Sequence, residues 1–302
     1  MGRVSDPRVG DLLGQGVANA GPAVVIAGFP TDEGVRRNGG RVGAAGGPAA
    51  IREALRRLTP DAERPEPFTR VLAVTEDIGD APVTGDLEAD QAGLAALLSP
   101  HLAAGRFAIV LGGGHETAFG HFLGYVQAGL RPEILNWDAH ADVRELRDGR
   151  GHSGSPFRQA LTHSTPCRRY TVGGLQPQSV AAEHLAYVRA HGEARFRHEL
   201  TGAVVRGAYD ALAAPAIVSF DLDAVDLAHA PGVSAPAVGG LGARAWLALA
   251  WRAGRSAAVT SCDVVELNPA VDRDGQTARL AALTVWQVLR GFATRPAFTN
   301  SP

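Results

Sequence analysis

The chain contains no lysine. A GC-rich coding sequence would account for that, but the consequence is physical. Every one of its 29 fixed cations is an arginine, able to grip a carboxylate through two parallel hydrogen bonds. Cysteine is nearly absent too. The two present, Cys167 and Cys262, are too few for a disulfide framework and suit a reducing cytosol, so a cytoplasmic location is expected. No apolar run approaches the ~18 residues of a membrane span, and the first twenty residues lack the basic start and apolar centre of a signal peptide. An excess of one charge is also missing. A formal net charge of -2 over 302 residues offers no basic face to nucleic acid or to a membrane, which leaves a small molecule as the expected partner. Assembly into a homo-oligomer is left open.

What is present is alternation. Short apolar runs predict strands near 22–28, 70–74, 107–111, 133–138, 169–174, 193–197, 216–221 and 258–264. Helical stretches are predicted near 47–58, 87–104, 117–129, 178–191, 240–254 and 276–291. This pattern implies βαβ units, hence a three-layer α/β/α fold around a mostly parallel eight-stranded sheet. One domain is expected over 21–293, with loosely ordered tails at 1–20 and 294–302. The stretch 28–48, rich in Gly and Arg, is too long for a plain connection and reads as a functional loop.

Ligands of open parallel sheets bind beyond the carboxyl ends of the strands, and polar clusters fall there. Gly112-Gly113-Gly114-His115-Glu116 follows one predicted strand, and Asp138-Ala139-His140-Ala141-Asp142 follows another. Asp221-Leu222-Asp223, with Asp226 beyond, and finally Glu266 complete the set. The triple glycine matches neither the dinucleotide fingerprint nor the phosphate loop. Asp138, His140 and Asp142 alternate, so an extended chain would point them to one face. If Asp138, Asp142, Asp221 and Asp223 converge, each close carboxylate pair repels by about 4 kcal/mol at an effective dielectric near 20. Two divalent cations would neutralise them, with His115 and His140 adding nitrogen ligands. Oxygen-rich coordination without thiolate favours manganese over zinc.

The motifs GGGHE, DAHAD, SFDLDAVD and ELNP, in that order, resemble those of the ureohydrolase family of arginases, agmatinases and formimidoylglutamases. The match spans about residues 25 to 290. The stretches 32–55, 112–122, 153–159, 230–236 and 272–282 are most similar to formimidoylglutamases. The resemblance implies an arginase-like fold and a hydrolase of linear amidines with two Mn(2+) per chain. His115 and Asp142 would complete one ion's shell, His140 and Asp223 the other's, and Asp138 and Asp221 would bridge the pair. Such a pair lowers the pKa of a water and holds it against an electrophilic carbon. Glu266 stands where the family binds the cationic end of its substrate, and Asp226 would support the site without ligating metal. Arginases carry a His-Gly pair after DAHxD. Here Ser153-Gly154 stands in that place, and His152 is the nearby imidazole for a proton-shuttle role. The remaining histidines are expected to be structural or to lie at the surface.

Charge favours the same substrate from another direction. N-formimidoylglutamate has a cationic amidine at one end and two carboxylates at the other, whereas agmatine is a dication. Arg144, two residues after Asp142, should reach the pocket rim and select the dicarboxylate. Arg37 and Arg158, together with Arg36, lie in flanking loops that could contribute. The expected reaction converts N-formimidoyl-L-glutamate and water to L-glutamate and formamide, a step of histidine degradation. The alternative is a guanidino-acid hydrolase that releases urea. A single-zinc deacetylase and a non-catalytic regulatory member of the family fit less well, since each needs fewer intact ligands.

Overall fold

The computed structural model describes residues 6–16 and 23–299. The strands are β1 Val24–Phe29, β2 Thr75–Asp80, β3 Phe107–Gly112, β4 Glu133–Trp137, β5 Arg169–Leu175, β6 Gly192–Phe196, β7 Ala216–Asp221 and β8 Val259–Val265. They form one sheet in the order β2-β1-β3-β8-β7-β4-β5-β6, and every neighbouring pair is parallel. The expected arginase-like α/β/α architecture is thus present, with a wholly parallel sheet.

Two cores follow from the period-two alternation of side chains. Val24 and Ile26 of β1, Ile109 and Leu111 of β3, and Val218 and Phe220 of β7 face one way. They pack there against helices Gly47–Arg56, Ala243–Arg255 and Gln276–Phe292. Val25, Ala27, Ala108, Val110 and Ile217 face the other way, onto helices Leu87–Ala103 and Thr117–Gln127. The helix Leu87–Ala103 shows how sequence sets such an element. Asp86 caps it by accepting from the Ala89 N–H at 3.1 Å, and Leu87, Leu94, Leu98 and Leu102 form its buried stripe.

The strand expected at 70–74 is instead the end of helix Pro65–Ala73, and the strand itself is the next segment, Thr75–Asp80. Pro65 stands at the helix start, where a missing N–H costs nothing, and Phe68, Val71 and Leu72 share the buried face. The true strand, TEDIGD, pairs only with β1 and is half exposed. An edge strand of this kind has no apolar run to betray it. The tails also differ from expectation. Within 6–16, Val9 is fully buried and donates to the Leu58 carbonyl at 2.8 Å, and Gly14 donates to that of Leu72 at 3.1 Å. Near the other end, Phe298 packs on Phe292 with ring centroids 5.4 Å apart. The rest of both expected tails lies outside the described residues.

Candidate metal and substrate site

Four strands that are neighbours in the sheet, β3, β8, β7 and β4, end beside one another. His115 follows β3, Asp138 to Asp142 follow β4, Asp221 ends β7, and Glu266 follows β8. A parallel sheet therefore delivers four distant sequence motifs to one place.

The turn after β3 is tight because it is overlaid by the loop after β1. A side chain on Gly113 would put its Cβ 1.8 Å from the Thr31 carbonyl oxygen, so only glycine fits. After β4 the chain does not stay extended, contrary to the alternation argument. Asp138 Oδ1 accepts from the His140 N–H at 2.6 Å, turning the backbone, and Asp142 has φ 46°. Glu266 has φ 68°. Two carboxylate residues in the left-handed region mark stored strain, on the order of 1–3 kcal/mol each.

These turns bring the side chains together in two groups. His115, Asp138, Asp142 and Asp221 offer ligand atoms within 4.8 Å of one another, as do Asp138, His140 and Asp223. His115 Nδ1 lies 2.9 Å from Asp221, 3.0 Å from Asp142 and 3.4 Å from Asp138. His140 Nδ1 lies 3.0 Å from Asp223 and 3.5 Å from Asp138. Asp138 reaches both groups, Oδ2 toward one histidine and Oδ1 toward the other. Asp221 belongs to the first group, and its Oδ1 accepts from the Asp223 N–H.

The electrostatics are those of a site short of positive charge. Burial pushes Asp142, Asp221 and Asp223 above the usual carboxylate range, the neighbouring carboxylates adding to it and the histidines only partly opposing it. Burial opposes protonation of His115, yet Asp221 and the other carboxylates outweigh it and hold the ring well above its ordinary value. Asp223 foremost does the same for His140. Asp138 is pulled the other way: burial disfavours its charge, but hydrogen bonds from both histidines keep it ionised. His115 Nδ1 and Asp223 Oδ1 are buried without a hydrogen-bond partner. Orphaned donors of this type, hard oxygens with two imidazoles, fit divalent cations.

Beside the two groups is a cavity of about 170 Å³ lined by Asn38, His140, Asp142, Arg144, Ser153, Ser234 and Glu266, among others. Glu266 Oε1 accepts from the main-chain N–H of His115 at 2.8 Å. Burial, then the nearby Glu116 and Asp223 charges, push its carboxyl up to about 8. Glu116 itself accepts from the Gly34 N–H, and burial lifts it to about 7. Arg144 has no side-chain hydrogen bond or ion pair among the described residues, so its guanidinium is a free cation at the cavity wall.

The other residues singled out from sequence lie away from the cavity or hold partners of their own. His152, expected as a proton shuttle, does not line the cavity, and both ring nitrogens are committed to backbone. Gly154 N–H donates to Nδ1 at 3.1 Å, so Nε2 must carry the proton that reaches the Glu145 carbonyl at 2.9 Å. Arg37 does not line the cavity either: it is clamped between Glu33, Glu88 and the Gly151 carbonyl. Arg158 pairs with Glu145 and lies over the Tyr187 ring at 4.3 Å, in a neighbouring depression that it shares with Arg144. Arg36 is turned outward onto Glu33. Asp226 lies outside both ligand groups and pins the loop after it, accepting from the N–H groups of Ala228, Gly239 and Gly240. Reading from sequence missed Asn38 and Ser234. The glycine pair after Asn38 was the available signal for a backbone brought close to a ligand.

Residues 22–290 match the arginase family. A formimidoylglutamase of Nocardia farcinica (strain IFM 10152) is 38% identical over 283 residues, covering 90% of this chain and 88% of its own. The crystal structure of Trypanosoma cruzi formiminoglutamase with Mn2+ superposes with a TM-score of 0.89 at 35% identity, over 97% of this chain and 100% of that one. Arginase from Bacillus subtilis gives a TM-score of 0.75 at 26% identity, over 88% of this chain and 98% of that one.

Proposed function

The chain belongs to the arginase family, and from that premise we propose that it hydrolyses N-formimidoyl-L-glutamate to L-glutamate and formamide, a reaction of histidine degradation. The observation that carries this reading is the pairing of opposite charges in one cavity. A buried acid, Glu266, sits beside the ligand groups, and a free cation, Arg144, shares the cavity with it.

The substrate has the complementary polarity. Its amidinium would hold Glu266 ionised despite burial, and Arg144 would take a carboxylate with a charge-assisted pair of bonds. The carboxylates and imidazoles would hold two manganese ions, His115, Asp138, Asp142 and Asp221 offering ligands to one and Asp138, His140 and Asp223 to the other. When bound, the ions supply the charge that makes a water acidic enough to attack the amidine carbon. The chain's own residues do the rest: Glu266 orients that carbon, and Arg144 anchors the far end. As the water oxygen bonds to that carbon, the C–N bond to glutamate breaks, and the departing nitrogen takes up the proton that the water gives up, leaving formamide. Two relatives named for this activity or its manganese-bound structure support the reading.

A guanidino acid carries the same two polarities, and it is the formimidoylglutamase relatives that favour the amidine over this urea-releasing alternative. Agmatine would set a second cation against Arg144. No helix among the described residues is long and apolar enough to cross a membrane. Both cysteines are buried as free thiols, in keeping with the proposed cytoplasmic location. Product analysis tests the assignment: formamide and glutamate from formimidoylglutamate support it, and urea from a guanidino acid as the faster reaction refutes it.

A further inference from the structure

Behind the carboxylate groups, a line of buried polar side chains crosses from one strand to the next. His115 Nε2 lies 2.9 Å from Ser219 Oγ. Ser219 donates to Asp263 Oδ1, and Asp263 Oδ2 lies 2.8 Å from His121 Nδ1. His121 Nε2 meets Ser261 Oγ at 2.8 Å, and the Tyr125 hydroxyl lies 2.7 Å from that same oxygen. Ser219 on β7 and Asp263 on β8 are direct partners in the sheet register. His121, Ser219, Ser261 and Asp263 are wholly inaccessible to solvent. A carboxylate in the middle of a central strand is costly, and an apolar side chain would pack there without that cost.

Hydrogen counting shows what the arrangement does. A carboxylate accepts only, so the single hydrogen of Ser219 is committed to Asp263. The Ser219 oxygen then has only lone pairs to offer His115, and Nε2 of that ring must be the protonated nitrogen. The remaining nitrogen, Nδ1, faces Asp138, Asp142 and Asp221 and has no hydrogen-bond partner of its own. Metal ligation requires a bare ring nitrogen, and the hydrogen bond at the other nitrogen selects it. Ser219 is no nucleophile, since it is sealed from solvent and its hydrogen points away from the cavity.

We infer that Asp263, acting through Ser219, is a positioning residue that fixes His115 in the Nε2–H form and aims Nδ1 into the first ligand group, while His121 holds the opposite oxygen of Asp263. This rests on the binuclear reading above.

The test is metal binding, not turnover. Metal-free wild type, Ser219→Ala, Asp263→Ala and Asp263→Asn are titrated with Mn2+ by equilibrium dialysis, and the spin coupling of the bound ions is followed by electron paramagnetic resonance. Melting curves of the metal-free forms report folding. Ser219→Ala and Asp263→Ala should weaken one of two manganese equivalents by roughly 10–100-fold, the range for lost outer partners of metal-binding histidines. The coupled signal should give way to that of a single ion. Asp263→Asn should lose less, because its amide oxygen still accepts from Ser219 once its nitrogen turns toward His121. Folded Ser219→Ala protein that binds both equivalents with wild-type affinity overturns the inference, even if Asp263→Ala fails to fold. Wild type that takes up no manganese overturns the binuclear reading and this inference with it.

Discussion

The main-chain N–H of His115 donates to Oε1 of Glu266 at 2.8 Å, so one residue gives its ring to the carboxylate groups and its backbone to the acid beside them. The contact ties the end of β3 to the end of β8, and Glu266 adopts a φ of 68° to make it. Glu266→Gln preserves the acceptor and the shape but removes the charge. Its kcat/KM on the amidine should fall by roughly 10- to 150-fold, the value of one charge-assisted contact, with manganese content unchanged. A variant of wild-type kcat/KM would show that the amidinium is held elsewhere.

Arg144→Ala should act differently. Its contact is remote from the reacting carbon and is made equally in ground and transition states, so KM should rise by roughly 10- to 150-fold while kcat changes little. Preference over a carboxylate-free guanidine should narrow by the same factor. Arg144→Lys should recover part of it, because an ammonium lacks the two-pronged geometry. Unchanged selectivity in steady-state kinetics would move the carboxylate site away from Arg144.

Asp138 faces both histidines, whereas His115 faces one group only. Asp138→Ala should therefore weaken both manganese ions and His115→Ala mainly one. Elemental analysis after dialysis against limiting manganese separates the two patterns, and equal loss from both variants would contradict the assignment.

Proton release should accompany metal uptake. The carboxylates raise His115 and His140 above their ordinary values in the metal-free chain, and burial raises Asp142, Asp221 and Asp223. Bound metal needs these groups deprotonated. Below the raised values, each displaced proton makes binding tenfold weaker per unit fall in pH. Manganese affinity should therefore climb as pH rises toward those raised values. Calorimetry in two buffers of different ionisation enthalpy counts the protons, and a flat profile would mean that the metal-free site holds none.

How much of this was legible in the sequence depended on which force did the placing. Central strands such as FAIVL and AIVSF are buried on both faces, and their apolar runs declared them. The edge strand TEDIGD escaped because every residue but Thr75 meets water at least in part, and its sheet partner lies far off in sequence. Asp138, His140 and Asp142 converge as expected, though through a turn and a left-handed residue and not by strand alternation. Sequence proximity of His152 to the cavity did not say which backbone groups its ring satisfies. Arg37 and Arg144 look alike in sequence. Only folding gives Arg37 the partner Glu88, 51 residues on, and leaves Arg144 with none among the described residues. Asp263 carried no signal in the sequence, because its partner Ser219 is brought to it only by the pairing of two strands.

The most direct measurement titrates metal-free protein with Mn2+ while following formimidoylglutamate turnover and formamide release. Activity should rise from background and level off at two equivalents per chain, with glutamate and formamide formed in equal amounts. A plateau at one equivalent, full activity with a single zinc, or no turnover by the fully loaded chain would contradict it.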